Sequence, residues 1–269
     1  VGISVVNALS DYLEVEVVRD KQVYRQSYSR GEPTSKLTHM GSDARGRGTT
    51  VAFRPDAQIF GKHKFKPEKL FKLARSKAYL FRGVEIRWKC DPSLLTEGSE
   101  TPAEATIHFP GGLKDFLTQQ LGDRPTVTSE AFCGEAELAG KMGRIEWAID
   151  WPSDDEEGFV STYCNTIPTP DGGTHESGLR SAIGKGIKAF GDLTNNKKAA
   201  QAQGEDILGG AVIVLSLFIR DPQFQGQTKN KLVSVEAAKL VENAMRDHFD
   251  HYLTGNPDNS NKLLAHIVD

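Results

Sequence analysis

The apolar run from Gly210 to Ile219 constrains the fold of this chain more than any other segment. It reads Gly-Ala-Val-Ile-Val-Leu-Ser-Leu-Phe-Ile and carries one polar side chain, Ser216. A run of this length and composition is typical of a buried strand. The polar segment from Asp221 to Leu232 follows it, and an amphipathic helix is predicted at 235–253. The second half of the chain is therefore expected to end in a buried strand, a loop and a helix.

Hydrophobic periodicity predicts four strands and three helices before residue 122. Alternating apolar residues indicate strands, and apolar residues three or four positions apart indicate helices. Asp20 and Lys21 lie between the first two strands and predict a tight hairpin turn. Residues 31–48 and 91–105 are polar and are expected to form loops. The predicted strands are 13–18, 22–28, 49–54 and 84–88, and the predicted helices are 2–10, 67–78 and 113–121.

A cluster of turn-forming residues, Gly122-Asp-Arg-Pro125, predicts a domain boundary and so divides the chain into 1–121 and 122–269. The second part is predicted to contain three antiparallel strands, a helix, a strand and a helix, which is an α+β sandwich. Its acidic segment Asp154–Glu157 is expected to be a hairpin tip. The first three strands are predicted at about 127–133, 144–151 and 158–164, the first helix at 176–192, a polar insert at 195–203, and the buried face of the last helix at Val241, Ala244, Met245 and Tyr252.

Composition excludes several classes of protein. The formal net charge is −3, so the chain has no global positive field, and a polyanion would have to be held by a local basic patch. Cys90, Cys133 and Cys164 are far apart and form no zinc-site spacing. They predict neither a metal site nor a disulfide framework, which favours a reducing cytosol. The longest apolar run, about ten residues, is too short to cross a bilayer, so no membrane partner is expected.

Lys229 lies in the loop Asp221-Pro-Gln-Phe-Gln-Gly-Gln-Thr-Lys-Asn-Lys-Leu232, between the buried strand and the helix. A lysine on such a loop carries a compact positive charge that suits a phosphate. Taken alone, a Gln-Thr-Lys segment is more often a polar surface turn, because loops are mostly solvated surface. The rest of the sequence is therefore needed to give the loop a function.

Four segments together resemble the ATPase subunits of bacterial type IIA topoisomerases. They occur in the family's order and at its spacing, and the similarity extends over nearly the whole chain. Within the family, the residues of these segments are more similar to the topoisomerase IV members than to the gyrase B members, which remain the alternative. The segments are Val1–Ser10, Gly48–Phe53, Ile167–His175 and Asp221–Lys229.

The resemblance implies an α+β fold. Residues 1–121 would form the C-terminal half of a GHKL ATPase domain, a mixed sheet with helices, and residues 122–269 would form a transducer domain, an α/β sandwich. It also implies ATP and Mg²⁺ as cofactors and DNA as substrate. The partners would be a second copy of this subunit and the DNA-cleaving A subunit, in the bacterial cytoplasm. Whole enzymes of this family pass one duplex through another, which relaxes or decatenates DNA.

The resemblance assigns roles to six residues. Val1 and Gly2 match the end of the family's glycine-rich ATP lid, where free amide groups at a helix start suit a triphosphate. Thr49 would lie in the adenine pocket, and Arg19 at its rim. Gln227 and Lys229 would contact the γ-phosphate and are the predicted catalytic residues. From the residues alone, an ordinary helix start, a strand-forming threonine and a solvated arginine stay open.

Three other features are weaker. Gly172-Gly-Thr-His175 opens a helix, and tight packing is a simpler explanation of its glycines than a phosphate site. The basic segment Lys62–Lys77 could touch DNA or be a solvated face. His248 and His251 have metal-like spacing without an evident third ligand, so an exposed polar face is expected.

The sequence lacks the family's glutamate base, its Mg²⁺-holding asparagine and its adenine-reading Asp-x-Gly-x-Gly. We therefore expect a chain that begins inside a domain, with no metal ligand among its own residues and without ATPase activity by itself. The metal ligand is expected in the family's N-terminal part. The rival interpretation is a mechanical module that binds no nucleotide and only relays domain motion.

Overall fold

The computed structural model describes residues 1–43 and 46–268. It contains two compact units, Val1–Lys66 and the part of the chain from Pro67 onwards. The boundary predicted at 121/122 lies within the second unit, and it stays a prediction.

The first unit is a sheet in the order β3-β2-β1-β5, with β4 also paired to β2. Asp20 and Lys21 both have positive φ, 52° and 60°, as a tight two-residue hairpin turn between β1 and β2 requires. The elements of this unit are α1 (Gly2–Ala8), β1 (Ser10–Arg19), β2 (Gln22–Ser29), β3 (Glu32–Pro33), β4 (Thr38–Ser42), β5 (Gly48–Pro55) and α2 (Ala57–Phe60).

The loop predicted over residues 31–48 was wrong in part, because it contains β3 and β4. Both strands are almost fully exposed, so they are held by backbone pairing to β2 and bury no alternating apolar face. Periodicity cannot detect such strands. Residues 44 and 45 of the predicted loop lie outside the described residues.

The second unit is built around a sheet in the order β11-β10-β12-β9-β8, with a separate β6–β7 pair and a β13–β14 pair. Its strands are β6 (Glu85–Lys89), β7 (Glu104–His108), β8 (Phe132–Glu137), β9 (Gly143–Asp150), β10 (Val160–Cys164), β11 (Ile167–Pro168), β12 (Val212–Ile219), β13 (Phe224–Gln225) and β14 (Lys231–Leu232). Its helices are α3 (Pro67–Leu80), α4 (Leu113–Leu121), α5 (Thr174–Leu193), α6 (Lys197–Gln201), α7 (Gly204–Leu208), α8 (Val235–Gly255) and α9 (Pro257–Val268).

Strand β12, the apolar run of the sequence, is buried, as predicted, and the structure shows that both of its faces are covered. Ile213, Leu215 and Leu217 belong to the core formed with α5 and α8, whereas Val212 and Val214 belong to the core formed with α3 and α4. Helices therefore cover both faces of the sheet, and the predicted α+β class is confirmed.

The predicted hairpin at Asp154–Glu157 was wrong. Strand β12 lies between β9 and β10, antiparallel to the first and parallel to the second, so β9 and β10 do not pair. The physical reason is burial, because a strand that is apolar on both faces is most stable in the interior of a sheet. Strand β8 also begins later than the predicted 127, and β7, α6, α7 and α9 were not predicted. Across the described ranges, no helix is both long and apolar enough to span a membrane.

Candidate functional site

Gln227 and Lys229 lie together at the exposed tip of a small hairpin in the second unit. Strands β13 and β14 pair through Phe224–Leu232 and Gln225–Lys231, and five residues, 226–230, connect them. Gly226 has φ 71° and Lys229 has φ 57°. The left-handed region costs energy for a residue with a Cβ, so the surrounding hairpin must hold Lys229 in this conformation.

The Lys229 ammonium is available for a ligand. Its Nζ lies 5.8 Å from the centre of the Phe224 ring, within the range of a weak cation–π contact. Within the described part of the chain, no carboxylate pairs with it. The side chain of Gln227 is exposed beside it. A compact charge and an amide, both at a held tip, are suited to a phosphate group.

Arg19 and Thr49 lie on one face of the sheet in the first unit. Thr49 pairs with Val17 across β1 and β5, and Arg19 is two residues beyond Val17 on the same strand. The two are therefore diagonal neighbours, typically about 7–8 Å apart. Thr49 is exposed, and the Arg19 side chain is 83% exposed and 4.0 Å from Asp20.

Val1 and Gly2 lie at the start of α1. The carbonyl of Val1 accepts hydrogen bonds from the amides of Ser4 and Val5, at 3.1 and 3.2 Å, which closes the first turn. The helix has seven residues, so its dipole is small, and a Cβ at Gly2 would meet no atom within 4 Å. Gly2 therefore leaves open space at the helix start, which is compatible with close approach of a ligand.

Gly172-Gly-Thr-His175 serves packing here. Thr174 is not the cap of α5, because Gly173 holds that position. His175 is fully buried, and its Nε2 lies 3.0 Å from Thr169 Oγ1. Burial lowers the pKa of His175 to about 4. The Gly172–Gly173 turn contacts the base of the Lys229 hairpin, a link that only the paired glycines could have signalled in the sequence.

The basic helix α3 is only partly a free surface. Lys69 and Lys72 are exposed. Lys77 instead donates to the carbonyl and the hydroxyl of Thr166, at 2.8 and 2.9 Å, and burial lowers its pKa. Arg75 donates to Gln119 at 2.6 Å. Two of the basic residues of α3 therefore hold neighbouring segments.

The two spaced histidines lie on an exposed part of α8. His248 and His251 are exposed on α8, and the His248 ring packs edge-on against Trp147 at 5.2 Å. No group of three or more His, Cys, Asp or Glu side chains suited to a metal occurs in residues 1–43 and 46–268.

Comparisons with known proteins identify the family of this chain. The sequence model of the family described as DNA gyrase B matches residues 112–269. The chain belongs to the DNA gyrase B family. The predicted resemblance to ATPase subunits of bacterial type IIA topoisomerases is thereby confirmed.

Among the relatives of this chain, the B subunit of DNA topoisomerase 4 from Bartonella bacilliformis is 49% identical over the whole of the chain. The match covers 39% of that relative, so this chain spans about two fifths of its length. The 43K ATPase domain of Thermus thermophilus gyrase B, solved in complex with an aminocoumarin, is similar with a TM-score of 0.80 and 29% identity. The topoisomerase IV ATP-binding domain of Francisella tularensis, solved with a small-molecule inhibitor, gives 0.78 and 29%. Each similarity covers 99% of this chain and 70% of the solved one, and the GHKL ATPase fold is therefore shown.

Proposed function

We propose that this chain is part of the ATP-hydrolysing subunit of a topoisomerase IV, which couples ATP binding and hydrolysis to the passage of one DNA duplex through another. The observation that carries the proposal is the exposed Lys229 at the tip of a held hairpin, in a chain whose relatives at 45–49% identity include B subunits of DNA topoisomerase 4. The isolated Gln-Thr-Lys motif would not support it, but the geometry and the family together do.

The residues fit an ATP molecule. Lys229 has no carboxylate partner within the described residues, so its charge is free to neutralise a terminal phosphate. Gln227 beside it can donate to a phosphate oxygen or orient a water. ATP, when bound, supplies the γ-phosphoryl group that is transferred to water.

The remaining proposed contacts belong to the first unit. The Thr49 hydroxyl would hydrogen-bond at the adenine edge, and Arg19 would line the pocket rim. Val1 and Gly2 would allow the phosphates to approach the backbone at the start of α1. We assign Mg²⁺ to no residue of this chain and propose that the metal is held by other parts of the complete protein.

We further propose that residues 1–121 belong to the nucleotide-binding domain and 122–269 to a transducer domain. In the complete enzyme two such subunits would act with two DNA-cleaving A subunits on DNA in the bacterial cytoplasm.

A contact from Lys229 to the γ-phosphate would make the second domain sensitive to hydrolysis, because the contact disappears when the phosphate leaves.

The decisive experiment is Lys229→Ala in the complete subunit, assembled with its A subunit and DNA. We expect ATP turnover to fall by about 10²-fold, the usual loss for a preorganised charge contact in a transition state. Lys231→Ala is the matched control, since Lys231 is an exposed lysine two residues away on β14. Turnover within a few-fold of wild type for Lys229→Ala would refute the assignment.

The alternative within the family is a gyrase B protein, because the family model that matches is described as DNA gyrase B. An assay of the complete enzyme separates the two: ATP-dependent decatenation without negative supercoiling supports topoisomerase IV, and negative supercoiling supports gyrase. Nucleotide binding measured on this polypeptide alone tests the relay-only interpretation, which predicts none.

A further inference from the structure

The start of α5 is joined to the Lys229 hairpin by its backbone. The amide of Asp171 donates to the carbonyl of Asn230 at 3.0 Å, next to Lys229 in the chain. The amide of Leu232 donates to the carbonyl of Gly172 at 3.1 Å. Gly173 and Leu232 also form a parallel bridge. The hairpin is thus held on the side that leads directly to Lys229.

Gly173 is the closest point of this contact. A Cβ added there would lie 2.3 Å from the Leu232 carbonyl oxygen and 2.7 Å from its nitrogen, both backbone atoms that cannot move aside alone. Its φ of 142° is also a conformation that L side chains rarely adopt. Gly173 therefore allows the turn and the hairpin to approach to backbone contact.

The turn itself is fixed to the body of the second unit. His175, at the start of α5, is buried and bonded to Thr169. Further along α5, a Cβ at Gly178 would lie 2.3 Å from the carbonyl oxygen of Ala238, so α5 and α8 are in near-backbone contact. The turn must therefore move together with α5.

We infer that the Asp171–Gly173 turn is the positioning element of Lys229, so that the Lys229 hairpin moves with α5 as one body. This inference deepens the proposed function and rests on it for the role of Lys229. Gly172 and Gly173 touch no ligand in this scheme and act only through the hairpin. The left-handed φ of Lys229 fits this role, because a strained tip persists only where its surroundings over-determine it.

Hydrogen exchange on the wild-type, nucleotide-free protein tests the contact between the Asp171–Gly173 turn and the Lys229 hairpin. It requires no measurement of ATPase activity. The amides of Leu232 and Asp171 should exchange at rates within about threefold of one another, since both bonds break only when turn and hairpin separate. Exchange of the Leu232 amide at the rate of an open loop, while Asp171 and the start of α5 stay protected, would overturn the inference.

Gly173→Ala then breaks the contact. We expect the Leu232 amide to exchange at least about tenfold faster, with β12 unchanged. The control is Gly184→Ala in the same helix, where a Cβ meets nothing within 4 Å and exchange should not change. Equal exchange rates of the Leu232 amide in the two variants would contradict the inference that the turn holds the hairpin. Tryptophan fluorescence verifies that each variant is folded.

A double-mutant cycle in the complete subunit tests positioning. Gly173→Ala alone should lower ATP turnover by about tenfold or more, but by less than about twofold when Lys229 is already alanine. A general loss of structure would instead be additive, and additivity would overturn the inference. If Lys229→Ala itself does not change ATP turnover, the proposed function fails. The exchange experiment still decides whether the turn holds the hairpin.

Discussion

The two compact units differ in how well their sheets are covered. Among the described residues of the first unit, the buried apolar side chains are Leu13, Val18 and Val23, and β5 is exposed along nearly its whole length. In the second unit every residue of β12 except Phe218 is buried, and helices cover both faces of the sheet. The same chain therefore combines a thinly covered sheet with a densely packed core.

This difference matters for the proposed site. The Lys229 hairpin is fixed to the packed unit through Gly172 and Leu232. Arg19 and Thr49, in contrast, lie on the open sheet. Because local stability follows the density of buried apolar contacts, we expect the proposed phosphate contact Lys229 to be preorganised and the proposed pocket residues Arg19 and Thr49 to be more adaptable.

The largest expected effect compares two buried leucines. Leu179 on α5 and Leu13 on β1 are 0% and 1% exposed. Leu179→Ala should cost about 4 kcal/mol, because the packed core around it cannot collapse into the cavity, and Leu13→Ala only about 2 kcal/mol, because a thin layer can. Denaturant unfolding measures the first by tryptophan fluorescence, since Trp88, Trp147 and Trp151 all lie in the second unit.

Hydrogen exchange of the β1 amides measures the second cost, since fluorescence does not report on the first unit. Equal costs at the two positions would mean that the first unit is as rigidly packed as the second, and the comparison would fail. Conservative Leu→Ile changes at both positions should cost less and keep the same order.

The sequence predicted those features that are encoded locally. The tight turn at Asp20-Lys21 and the bounds of α4 follow from neighbouring residues, and β12 follows from an apolar run in which Ser216 is the one polar residue. The sheet order does not, because the insertion of β12 between β9 and β10 is a pairing of segments far apart in the chain. A hairpin between neighbours costs less loop-closure entropy, and burial of both faces of β12 outweighs that advantage.

The candidate site divides in the same way. The roles of Gln227 and Lys229, like those of Thr49 and Arg19, were predicted from the resemblance to a family, because the loop sequence alone favoured a surface turn. The bond from Leu232 to Gly172 was not predicted, because it joins segments about sixty residues apart and depends on backbone atoms that every residue possesses. The short helices α6 and α7 were missed because five residues are too few to show a helical period.

The second expected effect is a pH dependence confined to the packed unit. His175 is fully buried, and burial lowers its pKa to about 4, whereas an unfolded histidine titrates near 6.5. Between these values the unfolded chain binds the extra proton, so the stabilisation is fully present above pH 6.5 and is lost as the pH falls through 4. The loss should reach about 3 kcal/mol.

Tryptophan-monitored unfolding at pH 7, 5.5 and 4 measures this loss, and His175→Gln provides the reference because glutamine does not titrate. The difference between wild type and variant isolates His175 from the carboxylates that also titrate near pH 4. A difference that stays constant across this range would show that His175 is accessible to protons, and the packing of the α5 start against Thr169 would have to be revised.

The smallest expected effect concerns two exposed leucines. It tests whether the two units differ only in the packing of their buried side chains. Leu37 in the first unit and Leu193 in the second are 67% and 72% exposed. Because neither side chain loses much water-accessible surface on folding, Leu37→Ser and Leu193→Ser should each change the free energy of unfolding by less than about 0.5 kcal/mol. Hydrogen exchange for the first and fluorescence for the second measure these changes. A cost above about 1 kcal/mol at Leu37 alone would mean that the connection between β3 and β4, in which Leu37 lies, is covered by another polypeptide in solution. The contrast between the units would then be a contrast in partners and not in packing.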